Sequence, residues 1–305
     1  MAAEITDIVP DSERHGLIGA LPPAVRPYAS LMRLDRPIGA WLLYWPGAWA
    51  VGLAGLGPRG LPFLLWLGLG AWAMRSAGCV WNDIVDRELD RRVERTRLRP
   101  LASGRVSLAG ALVLLIGLGL IGLVVLLQLN RAAIAIAAAS LLPVAAYPFM
   151  KRITWWPQAW LGIVFSWAAL VGWAAVRGEL GLTPLLLYAG SIAWVIGYDT
   201  IYALQDREDD ALVGVRSSAR ALGRHVRVGV FFFYLLAIGL WSAALWRVRP
   251  DGLSLVALAP IALHLGSQVA RLRPDDGDDA LHRFRSNRFA GLLMFLACLV
   301  VGTTS

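Results

Sequence analysis

Long apolar runs, broken by short polar and basic stretches, dominate the chain. Nine of them approach the roughly 18–20 residues that a bilayer-spanning α-helix needs. They lie at about 38–57, 62–81, 108–128, 132–150, 156–176, 182–203, 228–246, 253–271 and 289–303. The pattern predicts an all-α integral membrane protein, a bundle of nine transmembrane helices. Residues 1–30 are polar and proline-bearing (DSERHG, LPP). They lack the short apolar core of a signal peptide, so no cleavage is expected. Residues 31–305 are expected to form a single transmembrane domain behind this polar N-terminal segment.

Composition agrees. The chain is 57% hydrophobic and 16% charged, too apolar for an ordinary soluble domain. Its net charge of +8 would suit a nucleic-acid binder, but the placement of the charges speaks for membrane topology and against a nucleic-acid partner. With a cytoplasmic N-terminus, all but five of the 29 Lys and Arg fall on the inner side. The exceptions are Arg59, Arg131, Arg177, Arg247 and Arg249. That is the bias expected of an oriented multi-pass protein. The two cysteines, Cys79 and Cys298, lie in apolar segments, and the four His are scattered. Neither a disulfide framework nor a Cys-based metal site is implied.

The acids follow the same partition, with only Glu179 and Asp251 outside. Positive-inside sorting explains the Arg but not the Asp, because acids contribute little to orientation. "NDIVDRELD" (82–90) follows the second span and "YDTIYALQDREDD" (198–210) the sixth. The equivalent placing predicts two pseudo-repeated four-helix halves with a ninth helix appended, a recurring plan in membrane proteins. On a helix, Asn82, Asp86 and Asp90 fall within about 80°, with Asp83 just beyond, and Asp199, Asp206 and Asp210 within about 40°. These are stripes of like charge, which repel unless a cation sits among them. A hard divalent ion suits them: Mg²⁺ takes carboxylate oxygens and is commonly completed by substrate phosphates. Two facing stripes would hold Mg²⁺ around one diphosphate, with Arg95, Arg97 and Arg99 after the first stripe and Arg216 after the second neutralising the rest. "DDGDD" (275–279) sits beside Pro274 with no helical stripe and reads as a solvated turn.

These motifs resemble those of the UbiA superfamily of intramembrane prenyltransferases. "NDIVDRELD" fits its NDxxDxxxD motif and "DREDD" its second, DxxxD. Further segments resemble the branch acting on 4-hydroxybenzoate: "MRLDRPIGAWLLYWPGAW" (32–49), "RTRLRPLASGRVS" (95–107), "YPFMKRITWWPQAWLG" (147–162), "YDTIYALQDREDDALVGVRSSA" (198–219) and "FRSNRFAGLLMF" (284–295). The resemblance covers about residues 26–303. One departure is visible: the tail of the second motif usually reads Gly-Ile-Lys-Ser-Thr, and here it is Gly214, Val215, Arg216, Ser217 and Ser218. Charge and hydroxyl are kept, but Arg and Lys are not equivalent at a phosphate.

The resemblance implies a nine-helix bundle around a cavity open to the cytoplasmic side and laterally to lipid. It implies that Asn82, Asp83, Asp86, Asp90, Asp206 and Asp210 hold Mg²⁺ and diphosphate, that Arg95 and Arg99 contact diphosphate, and that Asp199 faces the cavity. The expected reaction is transfer of a polyprenyl group from its diphosphate to the 3-position of 4-hydroxybenzoate, on the route to ubiquinone. An allylic cation released there needs dry walls, and aromatic faces stabilise cations. Tyr147 and Tyr202 lie beside the charged motifs and are the aromatic candidates; Asp199 is the candidate proton acceptor. The acceptor's carboxylate needs a cation; Arg33, Arg36, Lys151 and Arg152 all stand at inner helix ends, and the resembling segments favour Arg36, Lys151 and Arg152. The expected setting is the lipid bilayer of a bacterial cell inner membrane, with the site facing the cytoplasm. Two alternatives stay open: another aromatic acceptor, or a secondary transporter, which also carries intramembrane acids and repeated halves. No residue pattern sets the tail length or the oligomeric state.

Overall fold

The computed structural model describes residues 18–57, 60–92, 96–205 and 216–303. They form helices joined by turns and loops, without a strand. In chain order the helices are α1 (Arg26–Leu31), α2 (Ile38–Leu53), α3 (Gly60–Asp90), α4 (Leu108–Leu126), α5 (Arg131–Ala139) and α6 (Leu141–Ile153). There follow α7 (Pro157–Arg177), α8 (Leu182–Tyr202), α9 (Ser218–Leu222), α10 (Val226–Val248), α11 (Gly252–Val256), α12 (Ala259–Arg271) and α13 (Gly277–Thr303).

Each predicted span has a helix, with three differences that have physical causes. Eight stretches among the described residues, rather than nine, are long and apolar enough to cross a membrane. The exception is α2, at 16 residues; with 1.5 Å of rise each it covers about 24 Å, short of a hydrocarbon core of about 30 Å. Two spans are each built from two helices. The break at Ser140 precedes Pro143, and the break at Ala257–Leu258 precedes Pro260. A proline has no N–H for the carbonyl four residues back, here Ala139 and Val256, the last residues of α5 and α11. Finally, α13 begins at Gly277, a full three turns before the apolar run.

"DDGDD" is therefore the cap of α13 rather than a solvated turn. Asp276 Oδ1 accepts the Asp279 N–H at 3.0 Å. Asp279, buried, accepts the Arg273 N–H at 2.9 Å and both arms of the Arg283 guanidinium at 2.6 and 2.7 Å. Acids in a first turn also suit the positive end of the helix dipole.

The chain forms two compact units. One comprises residues 1–40 and 72–123, the other 41–71 and 124–305. This division does not follow the two four-helix halves expected from the repeat, because residues 72–90 of α3 group with α1 and most of α4. In the first unit, Leu31, Ala77, Val80, Leu101, Val106, Ala111 and Leu118 make the core, with Tyr28, Met32 and Ile84 packed on it. The opposite side of α4 keeps Val113 and Ile116 exposed, as a lipid-facing surface requires. In the second unit α8 packs against α7 on one side and α10 on the other. Trp49, Trp194 and Trp241 form a fully buried cluster, and Trp49 donates to the Gly291 carbonyl at 2.8 Å. Backbones come close at glycines: a Cβ on Gly172 would strike the Gly47 carbonyl, and one on Gly302 the Gly52 carbonyl. Small residues let membrane helices approach this way.

Candidate functional site

The first acidic motif occupies the last three turns of α3. A helix that stays regular through Asp90 puts Asp83, Asp86 and Asp90 at i, i+3 and i+7, one above another on one face. They are 1%, 0% and 4% exposed, while Asn82 is half-buried beside them. Burying three carboxylates is costly unless cations or hydrogen bonds compensate.

Arg99 and Arg33 meet Asp83 and Asp90 on this face. Arg99 Nη1 donates to Asp90 Oδ2 at 2.9 Å and lies 3.4 Å from Asp83 Oδ1. Thr96, on the same turn, donates to the Asp90 carbonyl at 3.0 Å and anchors the segment that carries Arg99. Arg33 Nη2 donates to both oxygens of Asp83, at 2.8 and 3.0 Å. Burial works against the Arg33 charge, but Asp83, Cys79 and Asp35 together outweigh it and raise the pKa above the ordinary arginine value. Arg33 is also the one non-glycine among the described residues with a left-handed backbone, at φ 59°. It closes α1: its N–H bonds the Ser30 carbonyl and the Leu34 N–H bonds the Ala29 carbonyl. That pair of bonds is the helix stop in which glycine is the usual occupant. A side chain there costs about 1–2 kcal/mol.

Arg33 and Asp83 together were not legible in the sequence. In the sequence Arg33 reads as one more cation at an inner helix end, and only its place in "MRLDRPIG" hints at a role. Arg36, a favoured acceptor candidate, pairs with its neighbour Asp35 at 3.0–3.1 Å. Asp35 is itself buried, and its Oδ1 has no hydrogen-bond partner among the described residues.

The remaining predicted residues belong to the second unit. Asp199 and Tyr202 are half-buried on α8, and Tyr202 packs on Phe284 with centroids 4.5 Å apart. Tyr147 is half-buried on α6, whose last turn carries Lys151 and Arg152. Lys151 is half-buried, whereas Arg152 is exposed and lies over the Phe149 ring. Arg216 donates to the Ile153 carbonyl at 2.9 Å and lies 5.6 Å from the Trp155 ring. The tail of the second motif is tied down nearby: the Ser218 N–H bonds Gln158 Oε1 at 3.0 Å, and its hydroxyl meets Thr200 at 2.7 Å. Gln158 lies within "YPFMKRITWWPQAWLG", where no local pattern marks it. Arg95, Asp206 and Asp210 lie outside the described residues.

Among the described residues no three His, Cys, Asp or Glu side chains converge closely enough to hold a metal ion. The chemistry of the donors nonetheless fits a hard cation. The α3 face offers the carboxylate oxygens of Asp83, Asp86 and Asp90, the ligands a hard cation takes.

The model of the UbiA prenyltransferase family matches residues 43–299. The chain belongs to the UbiA prenyltransferase family. Among relatives, a mitochondrial 4-hydroxybenzoate polyprenyltransferase of Caenorhabditis elegans is 43% identical over 290 residues, 92% of this chain and 79% of that protein. Its namesakes in Drosophila melanogaster and Bos taurus are 45% and 42% identical, over 92% and 93% of this chain and 72% and 77% of theirs. The UbiA fold is also found in solved structures. The apo UbiA homolog from Aeropyrum pernix K1 superposes with a TM-score of 0.71 at 24% identity, over 85% of this chain and 97% of that one. A UbiA homolog from Archaeoglobus fulgidus bound to GPP and Mg²⁺ gives 0.66 at 15%, over 91% and 99%. The expected bacterial cell inner membrane is corrected by these findings: the 4-hydroxybenzoate polyprenyltransferases that match most of the chain are named as mitochondrial proteins of a nematode, a fly and a mammal.

Proposed function

We propose that this chain transfers a polyprenyl group from polyprenyl diphosphate to the 3-position of 4-hydroxybenzoate, in a mitochondrial membrane, with Mg²⁺ as cofactor. The observation that carries the reading is the buried stripe Asp83, Asp86 and Asp90 on α3, met by Arg33 and Arg99, in a chain more than 40% identical to 4-hydroxybenzoate polyprenyltransferases. In this reading α2 spans as well, giving nine crossings, and the N-terminus shares the charge-rich side with the acidic motifs.

Each group then has a task. Asn82, Asp83, Asp86 and Asp90, with Asp206 and Asp210 of the second motif, would hold Mg²⁺. The ion supplies positive charge that makes diphosphate a better leaving group. Arg99, with Arg95 and Arg216, neutralises phosphate oxygens; guanidinium forks suit that geometry. Arg216 would leave the Ile153 carbonyl to do so. The apolar helices exclude water, which would otherwise trap an allylic cation. Tyr147 and Tyr202 offer aromatic faces to that cation. Attack by the ring carbon beside the phenol releases a proton, which Asp199 accepts. Arg36, Lys151 and Arg152 are the cations for the acceptor carboxylate, and Lys151, half-buried at the end of α6, is the best placed.

The test is product mass spectrometry on membranes given polyprenyl diphosphate, Mg²⁺ and a panel of aromatic acceptors. A 3-polyprenyl-4-hydroxybenzoate product is expected. Prenylation of a different acceptor, with none of that product, would overturn the acceptor assignment.

A further inference from the structure

We propose that Arg33 is the built-in counter-ion of the first acidic motif. Its guanidinium holds Asp83 while the motif is free of metal, and gives that carboxylate up when the divalent ion and diphosphate arrive. The inference rests on the reading of Asp83, Asp86 and Asp90 as cation ligands.

Three observations carry it. First, the residue type at position 33 makes no sense for the backbone. The helix stop after α1 asks for glycine, yet it carries the one left-handed non-glycine among the described residues. What a side chain gains there is seen at its tip, where one nitrogen reaches both oxygens of Asp83. Second, the contact competes with the ligand. The guanidinium takes up lone-pair capacity on both Asp83 oxygens and places its charge where an incoming cation would stand. Third, the guanidinium has somewhere to go. Asp35, two residues on, adds to the field that holds the Arg33 charge. Its Oδ2 faces Arg36, and its buried Oδ1 has no hydrogen-bond partner among the described residues. Arg33 thus stands between two carboxylates: one engaged, the other with an oxygen to spare. A cation at Asp83 shifts the balance toward Asp35, because like charges repel most strongly where water is excluded.

Arg33 is on this account a positioning residue, and its effect is read in metal affinity rather than in turnover. The probe is Mn²⁺ binding to the full chain in detergent, without diphosphate. Removing the competing charge in R33Q is expected to tighten Mn²⁺ binding by about tenfold or more. R33G relieves the left-handed backbone and is expected to tighten binding equally, which covers the case of an R33Q chain that does not fold. R33K restores the charge and should return the affinity toward that of the natural chain. If R33Q or R33G folds and binds Mn²⁺ no more tightly than the natural chain, while D86N loses Mn²⁺, Arg33 is a fixed structural partner and the inference fails. If D86N also binds Mn²⁺ as the natural chain does, the reading of the motif as a metal site fails with it.

Discussion

Two stretches of this chain are rich in aspartate, and they are built in opposite ways. At the start of α13, the acids of "DDGDD" find donors from their own neighbourhood. Asp276 caps the helix and Asp279 is saturated by one backbone N–H and the two arms of Arg283. At the end of α3, Asp83, Asp86 and Asp90 share one face of a continuous helix. The cations that reach Asp83 and Asp90 come from elsewhere in the chain, Arg33 from 50 residues before Asp83 and Arg99 from the following loop. The first arrangement stabilises a helix terminus; the second keeps carboxylates together at a cost. What separates the cap from the candidate site is therefore how the acids are compensated, since their number is similar.

The largest expected effect breaks the α3 side of this contrast. D86N should lower prenyl transfer by about a thousandfold or more, the scale of several kcal/mol of lost charge stabilisation. The measurement is initial rate at saturating Mg²⁺. D279N, at the cap, should leave that rate within about twofold of the natural chain. A comparable loss in both variants would erase the distinction.

Next in size is the stability cost at the cap. D279A removes the partner of Arg283, with Asp279 only 8% exposed. The charged hydrogen bonds lost are worth about 2 kcal/mol, seen as a lower midpoint of thermal unfolding in detergent. R99Q tests the same question on α3. It strands the buried Asp90 and should destabilise by about 3 kcal/mol without metal. Mg²⁺ with diphosphate should recover part of that loss, because bound ligand can replace the missing charge. No ligand should rescue D279A.

Much of this was legible in the sequence because helix periodicity and bilayer thickness leave few options. A stripe at 83, 86 and 90 has to share a face if α3 stays helical, and it does. Other features were hidden for physical reasons. The breaks near Ser140 and Leu258 follow from single missing N–H groups at Pro143 and Pro260, which do not interrupt the apolar runs. The early start of α13 depends on Arg273 and Arg283 converging on Asp279, so a stretch that looks like a solvated turn becomes a cap. The Arg33–Asp83 pair joins residues 50 apart through a left-handed backbone at a non-glycine, which no local pattern announces. Arg216 is legible as a charge after the second motif, but its contacts with the Ile153 carbonyl and the Trp155 ring join distant parts of the chain, which no local pattern announces.

The smallest effect sharpens the comparison most. Asp86 has like charges three residues before and four residues after it on α3. Such neighbours destabilise a helix by a few tenths of a kcal/mol per pair, so neutralising Asp86 should raise the metal-free stability of the chain by about 0.5 kcal/mol. The same D86N change that abolishes turnover is thus expected to make the apo protein slightly harder to unfold. Adding Mg²⁺ and diphosphate should invert the order, because the natural chain gains ligand binding that D86N lacks. At the cap the signs differ: D279N removes a satisfied charge and lowers stability whether or not ligands are present. Paired unfolding curves for D86N and D279N, each with and without Mg²⁺ and diphosphate, read both signs. If D86N lowers apo stability as D279N does, the α3 acids are compensated in the same way as the cap, and like-charge repulsion among them is not what a cation relieves.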